Sequence, residues 1–292
     1  MSEQQDGPKT PPDEVLYGPK IYLGGRAFRK RALDFSRSVE EERKQIEIES
    51  PHYWDIRDSS LEGMFDKNSY QRTFELVVSP RQPLLRRYIE TTLADRKGSA
   101  IGIELGGPGS ELFSGFSRGF FERTLGVTLN DRRNPKRTLQ DDLSHHFLRE
   151  ANLLDDESTK VIKKWLNGRK ADVIIERMAG ALGYGGTPVD PHFVLRRVSE
   201  WYQMLSVGGL MFLQIPEKMR PIMPMVMEGI SQVPELEVRY DPRASERPSQ
   251  RDHLHHAISI HKLPGAPDTI PLLDPRKIRE LYAPMASADP SI

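Results

Sequence analysis

With 292 residues, 37% of them hydrophobic and 29% charged, the chain is long enough for one large domain with additions or for two small ones, in the composition range of soluble globular proteins. Lysine plus arginine equals aspartate plus glutamate at 42 each, so no net field draws the chain to nucleic acid or to an anionic membrane, which argues against a general nucleic-acid binder. The absence of cysteine excludes disulfides, thiolate zinc sites and cysteine nucleophiles together.

From the start of the chain, residues 1–19 carry Gly7, Pro8, Pro11, Pro12 and Gly18 among charges and read as a disordered arm. Met1 to Pro12 is polar, without the apolar core of a signal peptide, and no apolar run reaches the roughly 18 residues needed to span a bilayer. A cytoplasmic protein with no membrane partner is the default expectation. Residues 20–82 read as a helical N-terminal extension or lid. Within it Phe28, Ala32, Phe35 and Val39 recur at helical spacing, predicting an amphipathic helix over about Ala27 to Ile46. Its other face holds Arg29, Lys30, Arg31 and Arg37, which suits either a solvated surface or a docking face. Thr73 to Val78 has the composition of a strand, stopped by Pro80.

From Pro83 to Leu263 helical and strand patterns alternate, the signature of βαβ units on a mostly parallel sheet. Leu84, Leu85, Tyr88, Ile89 and Leu93 share a helical face that ends near Gly98. Ala100 to Leu105 is a short apolar run suited to a first central strand, and Leu112, Phe113, Phe116, Phe120 and Phe121 are expected to line one face of the helix after it. Further strands are expected at Gly126 to Leu129, His146 to Leu148, Asp172 to Ile175, Leu210 to Ile215, Leu236 to Tyr240 and Ala257 to Leu263. Asp190-Pro191 is an N-cap followed by proline at the first helical position. The helix it opens has a Val194, Val198, Trp201 and Leu205 core stripe, with Gly208-Gly209 as its stop. Residues 264–292 read as a tail with one short helix near Ile278.

The segment that carries chemistry is Ile101-Gly102-Ile103-Glu104-Leu105-Gly106-Gly107-Pro108-Gly109-Ser110: a strand ending at an acid, a glycine-rich turn, then a helix start. Glycines there let backbone approach a ligand and take positive φ, and a helix start offers free N–H groups. A pyrophosphate seated on this turn would be repelled by Glu104, and the G-x-G-x-x-G dinucleotide fingerprint is absent, both of which count against a nicotinamide enzyme. A ligand with a cationic amino group and no phosphate suits the carboxylate.

Glu104 to Gly109 resembles the first motif of class I S-adenosylmethionine-dependent methyltransferases, an acid followed by a glycine-rich loop. Gly126 to Asn130 is similar to the end of their second strand, Phe147 to Leu154 to their third-strand segment, and Ser206 to Leu210 to the turn into their fifth strand. The order and spacing match over roughly residues 84 to 263. The resemblance implies a Rossmann-like α/β domain over 83–263, with a seven-stranded, mostly parallel sheet and an antiparallel last strand, preceded by the helical N-terminal extension. It implies S-adenosylmethionine as cofactor, with Glu104, Gly106, Gly107 and Gly109 at the methionine end, Thr128, Asn130 or Asp131 at the ribose, and Asn152 at the adenine.

The activity this implies is methyl transfer to an unidentified acceptor, a small molecule or protein in preference to nucleic acid. Ligand-contacting residues lie beyond the C-terminal ends of parallel strands, which makes Glu176 and Tyr184 the candidates for substrate contact and catalysis. The chain departs from the family pattern in three places: the first loop is one residue short, Thr128 stands where the second-strand acid is usual, and Asn152 where an aspartate is common. Those departures motivate the alternative, an inactive methyltransferase-like fold serving as a scaffold or interaction module. No resident metal is expected. The His145-His146 pair reads as structural, and alternation along a strand would split His253 and His255 from His256. Arg243, Arg247 and Arg251 lie in the polar loop before the last strand, available to an acidic substrate or partner, and the methionines from Met219 to Met227 read as flexible apolar packing.

Overall fold

The computed structural model describes residues 14–17, 20–23, 74, 77–78, 84–107, 109–128, 131, 133, 135–151, 153, 156–176, 191–216, 223–241 and 255–270. The helices expected over Ala27 to Ile46 and near Ile278 lie outside these residues, as do His253, Met219 and the three arginines of the 241–254 loop. β1 (Glu14–Tyr17) and β2 (Lys20–Leu23) form an antiparallel hairpin across the boundary drawn between arm and extension.

Seven strands make the main sheet: β3 (Ala100–Leu105), β4 (Phe121–Thr128), β5 (His146–Glu150), β6 (Ala171–Glu176), β7 (Leu205–Pro216), β8 (Leu236–Asp241) and β9 (His255–Lys262). Their order is β5-β4-β3-β6-β7-β9-β8, parallel from β5 to β7, with β9 antiparallel to both its neighbours. Between them run α1 (Leu85–Thr92), α2 (Ser110–Phe113), α3 (Pro135–Leu143), α4 (Asp156–Leu166), α5 (Pro191–Gln203) and α6 (Met223–Ser231). This is the Rossmann-like sheet with an antiparallel last strand that the resemblance implies.

The central strands β3 and β6 are buried at every position, as expected of parallel strands covered on both faces. Period-two alternation divides their side chains between two apolar layers. Ile101, Ile103, Ile174, Met211 and Leu213 pack with Ile162 and Leu166 of α4, Val198 and Trp201 of α5, and Val226 and Ile230 of α6. Ala100, Val173, Ile175, Leu210 and Phe212 pack on the opposite face with Leu85 and Ile89 of α1, Leu93 at its C-cap, and Leu112 and Phe113 of α2. The second layer also contains Phe74, Val77 and Val78, and here the expected strand is corrected. Phe74 is helical, and its carbonyl accepts from the N–H groups of Val77 (3.0 Å) and Val78 (3.2 Å). β-propensity yields because the three apolar side chains reach the sheet face from a helical turn, and Ser259 Oγ donates to the Val77 carbonyl at 2.6 Å.

Two other expectations are corrected. The helix after the glycine turn is one turn long, and Phe121 already belongs to β4. Gly115 and Gly119, the latter at φ 71°, break the pattern, and Phe116, Phe120 and Phe121 meet instead as a ring cluster with centroids 5.0–6.1 Å apart. At α5, Leu205 is not the last residue of the helical stripe but the first of β7. The Ala171 N–H takes the Met204 carbonyl at 2.8 Å, so pairing with β6 captures the chain before another helical turn forms. Gly208 (φ 78°) then sits in an irregularity of β7, where a Cβ would lie 2.7 Å from the Arg96 guanidinium.

That guanidinium clamps the N-terminal edge of the sheet. Arg96 pairs with Asp172, donates to Ser206 Oγ (2.6 Å) and bonds the Val207 carbonyl, while Asp172 Oδ2 accepts the Ile101 N–H at 2.8 Å. β3, β6 and β7 are thereby tied through one carboxylate. On the same edge Lys262, buried at the end of β9, lies over the Tyr202 ring and pairs with Asp268 at 3.2 Å. Tyr202 donates to the Pro267 carbonyl (2.9 Å), and burial, reinforced by the Asp268 charge, pushes its hydroxyl up to about 12. These contacts hold the segment after β9, whose Ile270 is buried in the first apolar layer.

Replacing Arg96 with methionine leaves Asp172 buried with only neutral donors. Denaturant unfolding should show a loss of about 2–3 kcal/mol, toward the lower end for a broken buried ion pair because two hydrogen bonds remain. A second expectation concerns pH. Burial holds the His146 imidazole below its ordinary value of 6.5, with Arg137 and His145 adding to the shift and Asp141 opposing it, and the ring shares a 2.6 Å hydrogen bond with Thr124 Oγ1. A depressed folded pKa means that the unfolded chain takes up the proton first. The histidine's contribution is therefore intact above 6.5 and falls as pH drops below that value toward the folded one. His146→Asn, which keeps a partner for Thr124, should flatten the decline in stability between pH 7.5 and 5.5 relative to the wild-type chain.

Candidate functional site

β3 runs from the Arg96 clamp to the opposite edge of the sheet, where its last residues turn over β4. Glu104 is buried there, and its Oε2 accepts the Gly109 N–H at 2.5 Å. The turn is folded onto this carboxylate. A Cβ on Gly107 would lie 2.0 Å from Glu104 Oε1, so only glycine allows the backbone to cross the acid so closely. Gly106 takes φ 89° and donates its N–H to the Val127 carbonyl (2.8 Å), and Gly107 bridges to Val127. Gly109 takes φ 76° as the N-cap of α2, and a Cβ there would lie 2.8 Å from the backbone nitrogen of Gly126. Each of the three glycines therefore answers a separate steric demand: a positive φ, a buried carboxylate, and a close approach to β4.

Thr128, at the end of β4, is buried beside this turn and its carbonyl accepts the Ala151 N–H at 2.8 Å. Asp131 follows, half-buried, with its N–H donating to Glu150 at the end of β5 (2.7 Å). Its carboxylate is gripped by Arg133, Nε to Oδ1 at 3.0 Å and Nη2 to Oδ2 at 2.8 Å. Burial alone would raise the Asp131 pKa, but the Arg133 hydrogen bonds and charge outweigh it and hold the carboxyl below its usual range. Glu176 ends β6, fully buried, in register with Leu105 of β3 and Leu213 of β7, and accepts the Gln214 N–H at 3.3 Å.

Glu104, Gly106, Gly107, Gly109, Thr128, Asp131 and Glu176 thus gather at the C-terminal edge of the parallel strands. Asn130, Asn152 and Tyr184 lie outside the described residues. The chain leaves β3 toward β4 and β5 on one side and returns to β6 on the other, so the turn and Glu176 flank the point where strand order reverses, the usual ligand crevice of such sheets.

Sequence reasoning missed Arg133, Arg137 and Asp141, which with Ser110 form one chain of contacts beside the turn. Arg137 Nε donates to Asp141 Oδ1 (2.8 Å), its Nη2 to Ser110 Oγ (3.1 Å), and Arg133 Nη1 to Asp141 Oδ2 (3.1 Å). Only the four-residue spacing of Arg137 and Asp141 on α3 was available as a signal. Among the described residues no cluster of histidine and carboxylate suits a metal ion, and no helix is long and apolar enough to cross a membrane.

The strand order, with three strands to one side of the reversal and an antiparallel strand inserted next to the far edge, decides the architecture. It is a Rossmann-like α/β sheet with an antiparallel last strand. No family model matches the sequence, and no curated protein matches it. Solved structures similar to it include an rRNA methylase from Streptococcus thermophilus, 15% identical over 60% of this chain and 93% of that one, with a TM-score of 0.39. An O-methyltransferase from Bacillus cereus, in complex with S-adenosylhomocysteine, is 14% identical over 70% of this chain and 92% of its own, TM-score 0.39. The N-methyltransferase NodS from Bradyrhizobium japonicum, also with S-adenosylhomocysteine, is 11% identical over 72% and 91%, TM-score 0.40. Likeness at this level concerns the fold; the chemistry rests on the residues of this chain.

Gly109→Ala places a methyl group against β4 backbone and forces an alanine to positive φ. Unfolding experiments should show a loss of about 2–4 kcal/mol, roughly 1 from the backbone conformation and the rest from overpacking.

Proposed function

We propose that the chain is an S-adenosylmethionine-dependent methyltransferase, and the observation that carries the reading is the glycine turn folded over a buried Glu104 at the strand-order reversal. Two features support this cofactor over a dinucleotide, and a third suits it. The Gly109 N–H, which a phosphate on this turn would use, is already donated to Glu104. Two buried carboxylates, Glu104 and Glu176, lie near the ends of neighbouring strands beneath the crevice, and their field suits a ligand with positive centres better than a polyphosphate. Asp131 offers a partly exposed carboxylate just beyond β4, which suits the ribose of either kind of adenosine cofactor.

In this reading Gly106, Gly107 and Gly109 bring backbone to the methionine end, and Glu104 acts through them by holding the turn's shape. Thr128, Asn130 and Asp131 take the ribose and Asn152 the adenine edge. The cofactor, when bound, supplies a methyl group on a sulfonium that a nucleophile displaces in line. Glu176 and Tyr184 are the residues proposed to orient the acceptor or take its proton. Balanced charge argues for a small-molecule or protein acceptor. rRNA methylases stand among the similar structures, so the acceptor search includes RNA.

Calorimetric titration with S-adenosylmethionine and S-adenosylhomocysteine tests the reading: saturable one-to-one binding is expected, and a folded sample that takes up neither at millimolar ligand would sink it. Glu104→Ala should weaken binding more than about tenfold by releasing the turn. Glu104→Gln, whose amide oxygen can still accept the Gly109 N–H, should weaken it less.

A further inference from the structure

The contacts behind Asp131 have a shape that stability alone does not explain. Arg133 is buried, with a side chain 8% exposed, between two acids; Asp141 is equally buried at 5%, while Asp131 is open at 28%. Enclosing a guanidinium and a carboxylate is costly relative to apolar packing, so such a pair is poor evidence of a purely stabilising role. What it achieves is position. The two parallel bonds from Arg133 fix the plane of the Asp131 carboxylate, and the Arg133 N–H adds a third contact to Oδ1 at 3.1 Å. A carboxylate oxygen accepts about two hydrogen bonds, so Oδ1 is filled and Oδ2 retains one acceptor position. Through Asp141 and Arg137 the same guanidinium is linked to Ser110, the first residue of α2 after the glycine turn.

Resting on the cofactor reading above, we propose that Arg133 is a positioning residue for ribose recognition: it aims the remaining acceptor of Asp131 Oδ2 at one sugar hydroxyl, and its chain of contacts through Asp141, Arg137 and Ser110 holds that acceptor in fixed register with the glycine turn. The pairing also neutralises Asp131, so a neutral sugar edge is met by a directed acceptor and not by an unscreened anion.

The test compares S-adenosylhomocysteine with its 2′-deoxy and 3′-deoxy ribose analogues by calorimetry on the full chain. The wild-type chain should bind one of the two analogues about tenfold more weakly than the parent, the worth of a hydrogen bond to a charged acceptor. Arg133→Lys keeps the charge but not the fork, and should shrink that preference to about twofold. Asp131→Asn, which leaves Arg133 paired with Asp141, should shrink it as well. A merely structural arginine would instead weaken all three ligands alike and leave the preference intact, which overturns the proposal, as does a full preference retained in Asp131→Asn. A wild-type chain that binds all three equally refutes ribose positioning while leaving the cofactor reading standing; one that binds none removes both.

Discussion

A buried carboxylate at the end of the central strand is the constraint from which the C-terminal edge of this protein follows. An acid in the interior is expensive unless hydrogen bonds meet it, and Glu104 meets the N–H of Gly109, five residues on in its own chain. To deliver that N–H the backbone must cross the acid at Gly107, turn through positive φ at Gly106 and Gly109, and press against β4 at Gly126. The direction of α2, the contact of the turn with Val127, and the place of Ser110 beside Arg137 are consequences of that path. A glycine-rich turn is often described as flexible. Here Gly107 and Gly109 are crowded, against the acid and against β4, and Gly106 is required by its positive φ.

The two edges of the sheet are held by different chemistry. At the N-terminal edge, Arg96 with Asp172 and Lys262 with Tyr202 and Asp268 join strand ends and secure the segment after β9. Their hydrogen bonds go to carbonyls, hydroxyls and one another, with Asp268 itself reaching solvent. At the C-terminal edge, the chain of Ser110, Arg137, Asp141, Arg133 and Asp131 ends in a carboxylate that remains open. The first arrangement ties strand ends together; the second lies beside the glycine turn. Fold alone does not assign function, and it is this asymmetry between the edges that directs attention to the reversal between β3 and β6.

The proposed cofactor reading also changes the role given to Glu104. A carboxylate facing the ligand would act by its charge. A carboxylate beneath the turn acts by consuming the N–H that a phosphate would need and by fixing the backbone that a ligand's polar end would touch. Both pictures disfavour a dinucleotide, but the second makes the shape of the turn, not the reach of one side chain, the basis of selection.

How much of this was legible in the sequence depends on how local the cause was. β3 and β6 declared themselves as short apolar runs, the glycine turn by composition, and α5 by Pro191 and the Val198 and Trp201 part of its stripe, because burial on both faces and backbone geometry act within a few residues. The resemblance of four segments in order anticipated the parallel sheet and its antiparallel last strand. Long-range competition was not legible. Thr73 to Val78 has strand composition, yet Phe74 is helical because the sheet face it covers is made by β7 and β9. Leu205 fits the α5 stripe, yet β6 draws it into β7. Arg133 and Asp141 carry no signal eight residues apart, since what makes them partners is the turn of chain between β4 and α3. Sequence by itself determined which segments are strands, helices and turns wherever one local preference dominated; tertiary structure decided which charges meet, because pairing depends on distances that only the packed sheet sets.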